Sequence, residues 1–190
     1  MKEIKKYIEQ FAKVSSQDWA LFSSKLVSRT YPKKSICHEA GSNENYISFL
    51  QKGTVRLYIP KKESDKEITF GFCFTNQFVS AYDSFLTGKP SSHSIQALTD
   101  TKMLSITHKD LQEVYKKTSI GNLIGRLTAE NLFLIKSKRL QSLLNNSAEE
   151  RYLRIFKDRP ELLKTIPLKY ISSYIGVTPQ ALSRIRRRIS

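Results

Sequence analysis

Acidic side chains are scarce in this sequence, and none follows Glu161. Against 17 acids stand 32 lysines and arginines, a net charge of +15. Such an excess excludes the balanced surface of an ordinary enzyme and points to a polyanionic partner. Cysteine is nearly missing as well: Cys37 and Cys73 are the only two. Two thiols supply neither a disulfide framework nor the four thiolate ligands of an iron-sulfur cluster, so both are expected as free, reduced thiols. No run approaches the ~18 apolar residues of a membrane helix, and Met1 to Lys6 leads into a polar amphipathic segment instead of a signal-peptide core. The expectation is a cytoplasmic protein with no membrane partner. At 190 residues the chain is long enough for a hydrophobic core without covalent staples.

What is present changes character along the chain. From Ile4 to about Val27 apolar residues recur at three- and four-residue steps, which predicts two helices broken near Val14, with Ser15 and Asp18 as a capping box. From Thr30 to about Ile106 short runs of β-branched and aromatic residues take over: Tyr46 to Leu50, Val55 to Ile59, Ile68 to Phe74 and Met103 to Ile106. Turn residues at Gly41, Gly53, Lys61 to Asp65, Thr75-Asn76 and Gly88 to Ser92 separate them, the punctuation of an all-β barrel or roll. A helix start follows at Thr107 to Asp110, and a long helix runs from about Ile120 to Leu144. Its apolar stripe, Ile120, Leu123, Ile124, Leu127, Leu134, Ile135, Leu140, Leu143 and Leu144, is broken by Asn131 and Lys138. Such a stripe packs either on its own domain or also on a second copy; the balance favours a homodimer.

Ser147 to Glu150 reads as a second capping box after Asn145-Asn146, and places a boundary between a sensor domain at 1–144 and a small domain at 147–190. The helix it opens must stop before Pro160. Leu168 to Ile175 then has helical periodicity, Gly176 supplies a turn, and Thr178-Pro179 supplies an N-cap and a proline at the first helical position. This is a helix-turn-helix, with Ile171, Ser172, Ile175, Val177, Leu182, Ile185 and Ile189 directed inward. A bulky residue at Ser172 is expected to disrupt it.

The opposite stripe of the second helix carries Gln180, Ser183, Arg184 and Arg187. Gln180 suits adenine, Arg184 suits guanine, and Ser183 reaches base edges or phosphate, so these are the candidate base-contacting residues. Lys169, Thr178, Arg186, Arg187 and Arg188 are the candidate phosphate contacts, acting through counterion release and, at Thr178, through a helix N-terminus. With Lys164 they keep this segment strongly positive.

The order of these elements, with Ile47 to Tyr58 as an early hairpin and Gly176 to Arg184 as the reading motif, resembles the Crp/Fnr family of bacterial transcription regulators. The resemblance covers nearly the whole chain. It implies an α+β fold: N-terminal helices and a cyclic-nucleotide-binding-like β-roll, a long dimerisation helix at about 120–144, and a C-terminal winged-helix-like helix-turn-helix domain. It also implies a homodimer on double-stranded DNA with an inverted-repeat operator, with half-sites about 34 Å apart, and RNA polymerase as a further partner. The family's nucleotide cassette falls on Phe78 to Ala97 but departs from it where it matters. Ala81 stands where nucleotide-binding members place a glutamate for the ribose, and Ser91 where they place an arginine for the cyclic phosphate. Burying a phosphate without a paired cation is costly, so cyclic AMP is not expected to bind in the family's usual way. The effector pocket, if one exists, is expected around Ser80, Ala81, Ser91 and Ser92, with no cofactor predicted and no effector identified.

Two other classes of function remain open from the residues alone. One is a cupin-like metal-dependent enzyme using His38, His93 and His108, whose spacing gives no close histidine pair, so neither a catalytic residue nor a metal ligand is assigned. The other is a ligand-binding module whose basic tail holds nucleic acid without sequence preference. Within the family resemblance, a haem sensor using His93 or Cys73 also stays open.

Overall fold

The computed structural model describes residues 1–61, 67–158 and 160–189, without the side chains of Glu161 and Lys164. Most of the expected turn at Lys61 to Asp65, the Lys164 side chain and Ser190 therefore lie outside the described residues. Helices α1 (Lys2–Glu9) and α2 (Ser16–Ser24) open the chain. The Asp18 amide donates to Ser15 Oγ at 3.0 Å, the expected cap. The second helix is shorter than its apolar pattern suggested. It ends at Ser24, and Val27 begins β1 (Val27–Tyr31), where a β-branched residue pairs with Ser105.

The remaining strands are β2 (Ile36–His38), β3 (Tyr46–Lys52), β4 (Thr54–Ile59), β5 (Ile68–Phe74), β6 (Phe78–Val79), β7 (Ser94–Ala97) and β8 (Thr101–Thr107). They form two antiparallel sheets of four, in the orders β1-β8-β3-β6 and β2-β7-β4-β5. A short helix, α3 (Tyr82–Thr87), sits between β6 and β7. Leu50, Val55, Leu57, Val79, Ile95 and Met103 form the core between the sheets, each buried side chain contributing roughly 1.5–3 kcal/mol of transfer free energy. Gly53 makes the β3–β4 hairpin at φ +106, and a Cβ there would stand 2.5 Å from Thr101 Oγ1. Only glycine closes that turn without displacing β8.

Helix α4 (His108–Lys117) starts on Thr107, whose hydroxyl accepts the Asp110 amide at 3.1 Å. It is followed by α5 (Gly121–Asn145), 25 residues long. Along α5 a set of apolar side chains stays in solvent: Phe133 (70 % exposed), Leu134, Ile135, Leu140, Leu143 and Leu144 (75 %).

The capping box at Ser147 is reciprocal, with the Glu150 amide on Ser147 Oγ at 3.2 Å and the Ser147 amide on the Glu150 carboxylate at 2.7 Å. These hydrogen bonds hold the Glu150 carboxyl below its ordinary pKa. Helix α6 (Ala148–Asp158) ends ahead of Pro160, which opens α7 (Pro160–Thr165) at a position needing no amide donor. Helices α8 (Leu168–Ile175) and α9 (Pro179–Ile189) complete a unit that is helical throughout among the described residues, with no strand beside α9. Its core is Tyr152, Leu162, Ile166, Ile171, Ile175, Leu182 and Ile185, with Phe72, Phe74 and Leu98 of the roll packed against it.

Candidate nucleic-acid interface

The turn between α8 and α9 is built as its residues require. Gly176 adopts φ +80, the left-handed C-cap conformation, and the Gly176 and Val177 amides return to the carbonyls of Ser173 and Ser172 at 3.1 and 3.0 Å. Thr178 Oγ1 accepts the Ala181 amide at 3.2 Å, so the hydroxyl caps α9 while the residue itself remains exposed. Ser172 is 1 % exposed and bonds the Lys169 carbonyl, leaving no room for a larger side chain. Ile171, Ile175, Leu182 and Ile185 lie inside as expected. Ile189 does not: it is 36 % exposed, because α9 has run past the end of the small domain's core by its last turn.

On the outer side of α9, Gln180, Ser183, Arg184, Arg186, Arg187 and Arg188 are all exposed, as is Lys169 at the start of α8. Gln180, Ser183, Arg184 and Arg187 therefore stand together on one solvent-facing stripe of an 11-residue helix. The Ser183 hydroxyl donates back to the Pro179 carbonyl at 3.0 Å, which leaves its lone pairs as acceptors. Arg188 is not simply available for phosphate. Its guanidinium pairs with Glu149 of α6 at 2.7 Å, an exposed contact that ties the end of α9 to the start of α6.

The residues expected to frame an effector pocket differ in exposure and in partners. Ser80 Oγ donates to the Tyr46 carbonyl at 2.8 Å, Ala81 is fully buried, and Ser92 is exposed. Ser91 Oγ donates to the His93 carbonyl at 2.9 Å and accepts the His93 amide at 3.1 Å, closing its own turn. The cavity inside the roll has a volume of about 10 Å³ and is lined by Arg29, Tyr31, Cys37, His38, Glu44 and Ser48, among others, and by none of those four. That is room for about one water molecule.

His38 and Glu44 face one another there at 3.6 Å, and His93 packs against the edge of Phe70. Burial lowers the His93 pKa and pushes the Cys37 thiol up to about 12. His108 begins α4 and meets Phe85 edge-on. Among the described residues no group of three or more His, Cys, Asp or Glu is arranged to hold a metal ion. Likewise, no helix among them is long and apolar enough to cross a membrane.

Sequence reasoning missed a second set of cations. Arg56, in the middle of β4, is 2 % exposed. It contacts Gln96 at 2.8 Å and Glu67 at 2.9 and 3.0 Å, and its guanidinium lies 3.8 Å from the Tyr170 ring of α8. Arg139 of α5 donates to the Tyr174 carbonyl, and Arg151 of α6 donates to the Ile175 carbonyl at 2.8 Å. Both meet the carbonyl end of α8, where a helix dipole favours positive charge. An arginine between the apolar Val55 and Leu57 of β4 is the one available signal.

With this geometry in view, comparison with known proteins is specific about the fold. Residues 28–118 match the cyclic nucleotide-binding domain family. No curated protein matches the sequence. Among solved structures the chain is similar to a protein from Eubacterium rectale assigned as a transcriptional regulator of the Crp/Fnr family, with 16 % identity, 96 % of this chain and 87 % of that one covered, and a TM-score of 0.75. It is similar to FixK2 from Bradyrhizobium japonicum (14 % identity, 86 % and 84 % covered, TM-score 0.71). The c-di-GMP responsive global regulator CLP of Xanthomonas campestris gives 15 % identity, 92 % and 91 % covered, and a TM-score of 0.69. Residues 28–118 thus match a cyclic nucleotide-binding domain and, from its β-roll through the long helix to the terminal helices, the chain has the fold of these solved Crp/Fnr regulators.

Proposed function

We propose that this protein is a sequence-specific DNA-binding regulator of Crp/Fnr type that does not respond to cyclic AMP in the family's usual way. The observation that carries the reading is the outer stripe of α9: Gln180, Ser183, Arg184 and Arg187 exposed together on the second helix of a well-packed helix-turn-helix, in a segment without acidic residues after Glu161. In the complex Gln180, Ser183 and Arg184 read base edges. Lys169, Thr178, Arg186 and Arg187 hold phosphates, and Arg188 does so after leaving Glu149.

Residues 1–144 form the sensor-like part and 147–190 the DNA-binding part. Two copies join along α5, whose exposed Phe133, Leu134, Ile135, Leu140, Leu143 and Leu144 make an apolar surface that water disfavours. Pairing places two recognition helices about one DNA turn, ~34 Å, apart on an inverted repeat. Transcription would then be raised or lowered according to operator placement, with RNA polymerase as the protein partner. Ala81 and Ser91 remove the anion-binding chemistry of the nucleotide cassette, and Ser91 spends its hydroxyl on its own turn with His93. That combination supports a regulator over an enzyme or a cyclic-AMP receptor.

The test is fluorescence anisotropy with DNA selected from a random pool. Binding should be at least ~1,000-fold tighter to selected than to scrambled duplex, with a steep salt dependence for both. Equal affinity for the two would leave only a non-specific basic module. Calorimetry with cyclic AMP should show no tight binding. Tight binding abolished by substitution of Ser80 or Ser92 would refute the cyclic-AMP half of the proposal.

A further inference from the structure

Helix α8 touches more than its helix-turn-helix partner. Its back lies along β5, the edge strand of the second sheet, and a single hydroxyl stands where a further strand would pair. Ser173 Oγ donates to the Glu67 carbonyl at 3.0 Å and accepts the Thr69 amide at 2.9 Å. Beside it, Arg56 is fixed by Glu67, Thr69 and Gln96 and lies against the Tyr170 ring, while Phe72 packs on Tyr174 with centroids 5.2 Å apart. From the other side Arg139 of α5 lies 3.9 Å from the Tyr174 ring and donates to the Tyr174 carbonyl. None of these contacts covers Gln180, Ser183, Arg184 or Arg187, which remain exposed on α9. The docked face and the DNA-facing stripe are separate.

We infer that Ser173, Arg56 and Arg139 are positioning residues: they hold the helix-turn-helix in one orientation on its own β-roll, so that the recognition helix is aimed by the chain's own side chains. The inference rests on the DNA-binding reading above. A dimer on an inverted repeat gains from its second half-site only if both recognition helices are held at the right spacing, because the effective concentration of the second contact falls when the geometry is loose. A helix-turn-helix swinging on the 145–147 hinge would read one half-site as well as before and the pair less well. Burial of Arg56 with two-sided carboxylate contact to Glu67 makes this side of the latch stiff, since the guanidinium cannot leave without stranding a charge. Ser173 is its adjustable part, one hydroxyl serving two backbone groups of an edge strand that would otherwise face water or a neighbouring chain.

The experiment uses the full chain and Ser173→Ala, which keeps a good helix former in α8 and leaves the helix-turn-helix core untouched. Two readouts are taken. Without DNA, hydrogen exchange at the Thr69 amide should speed up by about tenfold or more, while Val55 and Leu57, inside the sheet, stay protected. With DNA, affinity for the full inverted repeat should fall about threefold or more, since the substitution removes both hydrogen bonds of the Ser173 hydroxyl. Affinity for an isolated half-site should change by less than about twofold. Arg139→Lys, which keeps the charge but not the planar stack on Tyr174, should give the same split with a smaller size. Unchanged Thr69 exchange, or equal losses on full and half sites, overturns the inference. If the wild-type chain binds neither DNA, the regulator reading fails on that result, and the Thr69 exchange still decides whether α8 is held on β5.

Discussion

The two ends of this molecule treat polar side chains in opposite ways. In the β-roll the groups that a ligand would meet are turned onto the chain itself: Ser80 onto the Tyr46 carbonyl, Ser91 onto His93, and Glu44 toward His38. In the helix-turn-helix the inward positions are apolar or small, and Gln180, Ser183 and Arg184 are left facing outward. Polar groups turned inward and polar groups turned outward share one chain. Positive charge divides in the same manner: Arg56, Arg139 and Arg151 are structural, held against carbonyls, a carboxylate and rings, whereas the cations of α9 line its surface. Net charge alone is therefore a poor guide to where a polyanion binds, and position on an element decides.

The contrast can be broken first at the packing of the reader. Leu182 is 1 % exposed at the centre of the small domain's core, so Leu182→Ala should cost roughly 2–5 kcal/mol, read as a lower urea midpoint. A loss below about 1 kcal/mol would mean that α9 is not packed as described. Next comes the chemistry of the exposed stripe. Arg184→Ala should cost about 1–3 kcal/mol on the selected operator and relax base choice at one position, whereas Arg187→Ala should weaken selected and random DNA alike. Parallel losses for both variants would remove the distinction between base and phosphate contacts. Smaller still is the cap. Thr178→Ala removes the side-chain acceptor of the Ala181 amide and should cost about 1 kcal/mol of stability. The least effect belongs to the closed end. The Cys37 thiol, pushed up to about 12 by burial, should remain unmodified by iodoacetamide at pH 8 in the folded protein, and mass mapping that finds it alkylated as fast as in denaturant would show the roll to be open.

How much of this was legible in the sequence depended on how local each feature is. The helix-turn-helix spans about twenty residues, and its signals, Gly176 for a positive φ, Thr178-Pro179 for a helix start, a 3.6-residue period, act over one or two turns. Its two helix spans and most of its inward residues followed directly. Ile189 did not, because periodicity continues past the point where the core ends. The strands from Tyr46 to Phe74 were equally readable, while the brief β2 and β6 carry too few residues for an alternating pattern. An apolar step of three or four fits a strand start as well as a last turn, so the helical pattern runs on to Val27 although α2 ends at Ser24.

The effector region was legible only in what it lacks. Ala81 and Ser91 told against an anion-binding pocket, but nothing in their neighbourhood could reveal that Ser91 closes onto His93 or that a cavity in the roll is lined by Arg29, Tyr31, Cys37 and His38 of β1 and β2. The docking of α8 was invisible for the same reason. Glu67 and Ser173 are 106 residues apart, and no local pattern links them.

The account stands most directly on selection of bound DNA from a random duplex pool by the purified 190-residue chain, with no nucleotide added. It predicts enrichment of one inverted repeat with half-sites about one helical turn apart, lost in Arg184→Ala at a defined base position. Recovery of no preferred sequence, or of one only when cyclic AMP is supplied, would contradict it.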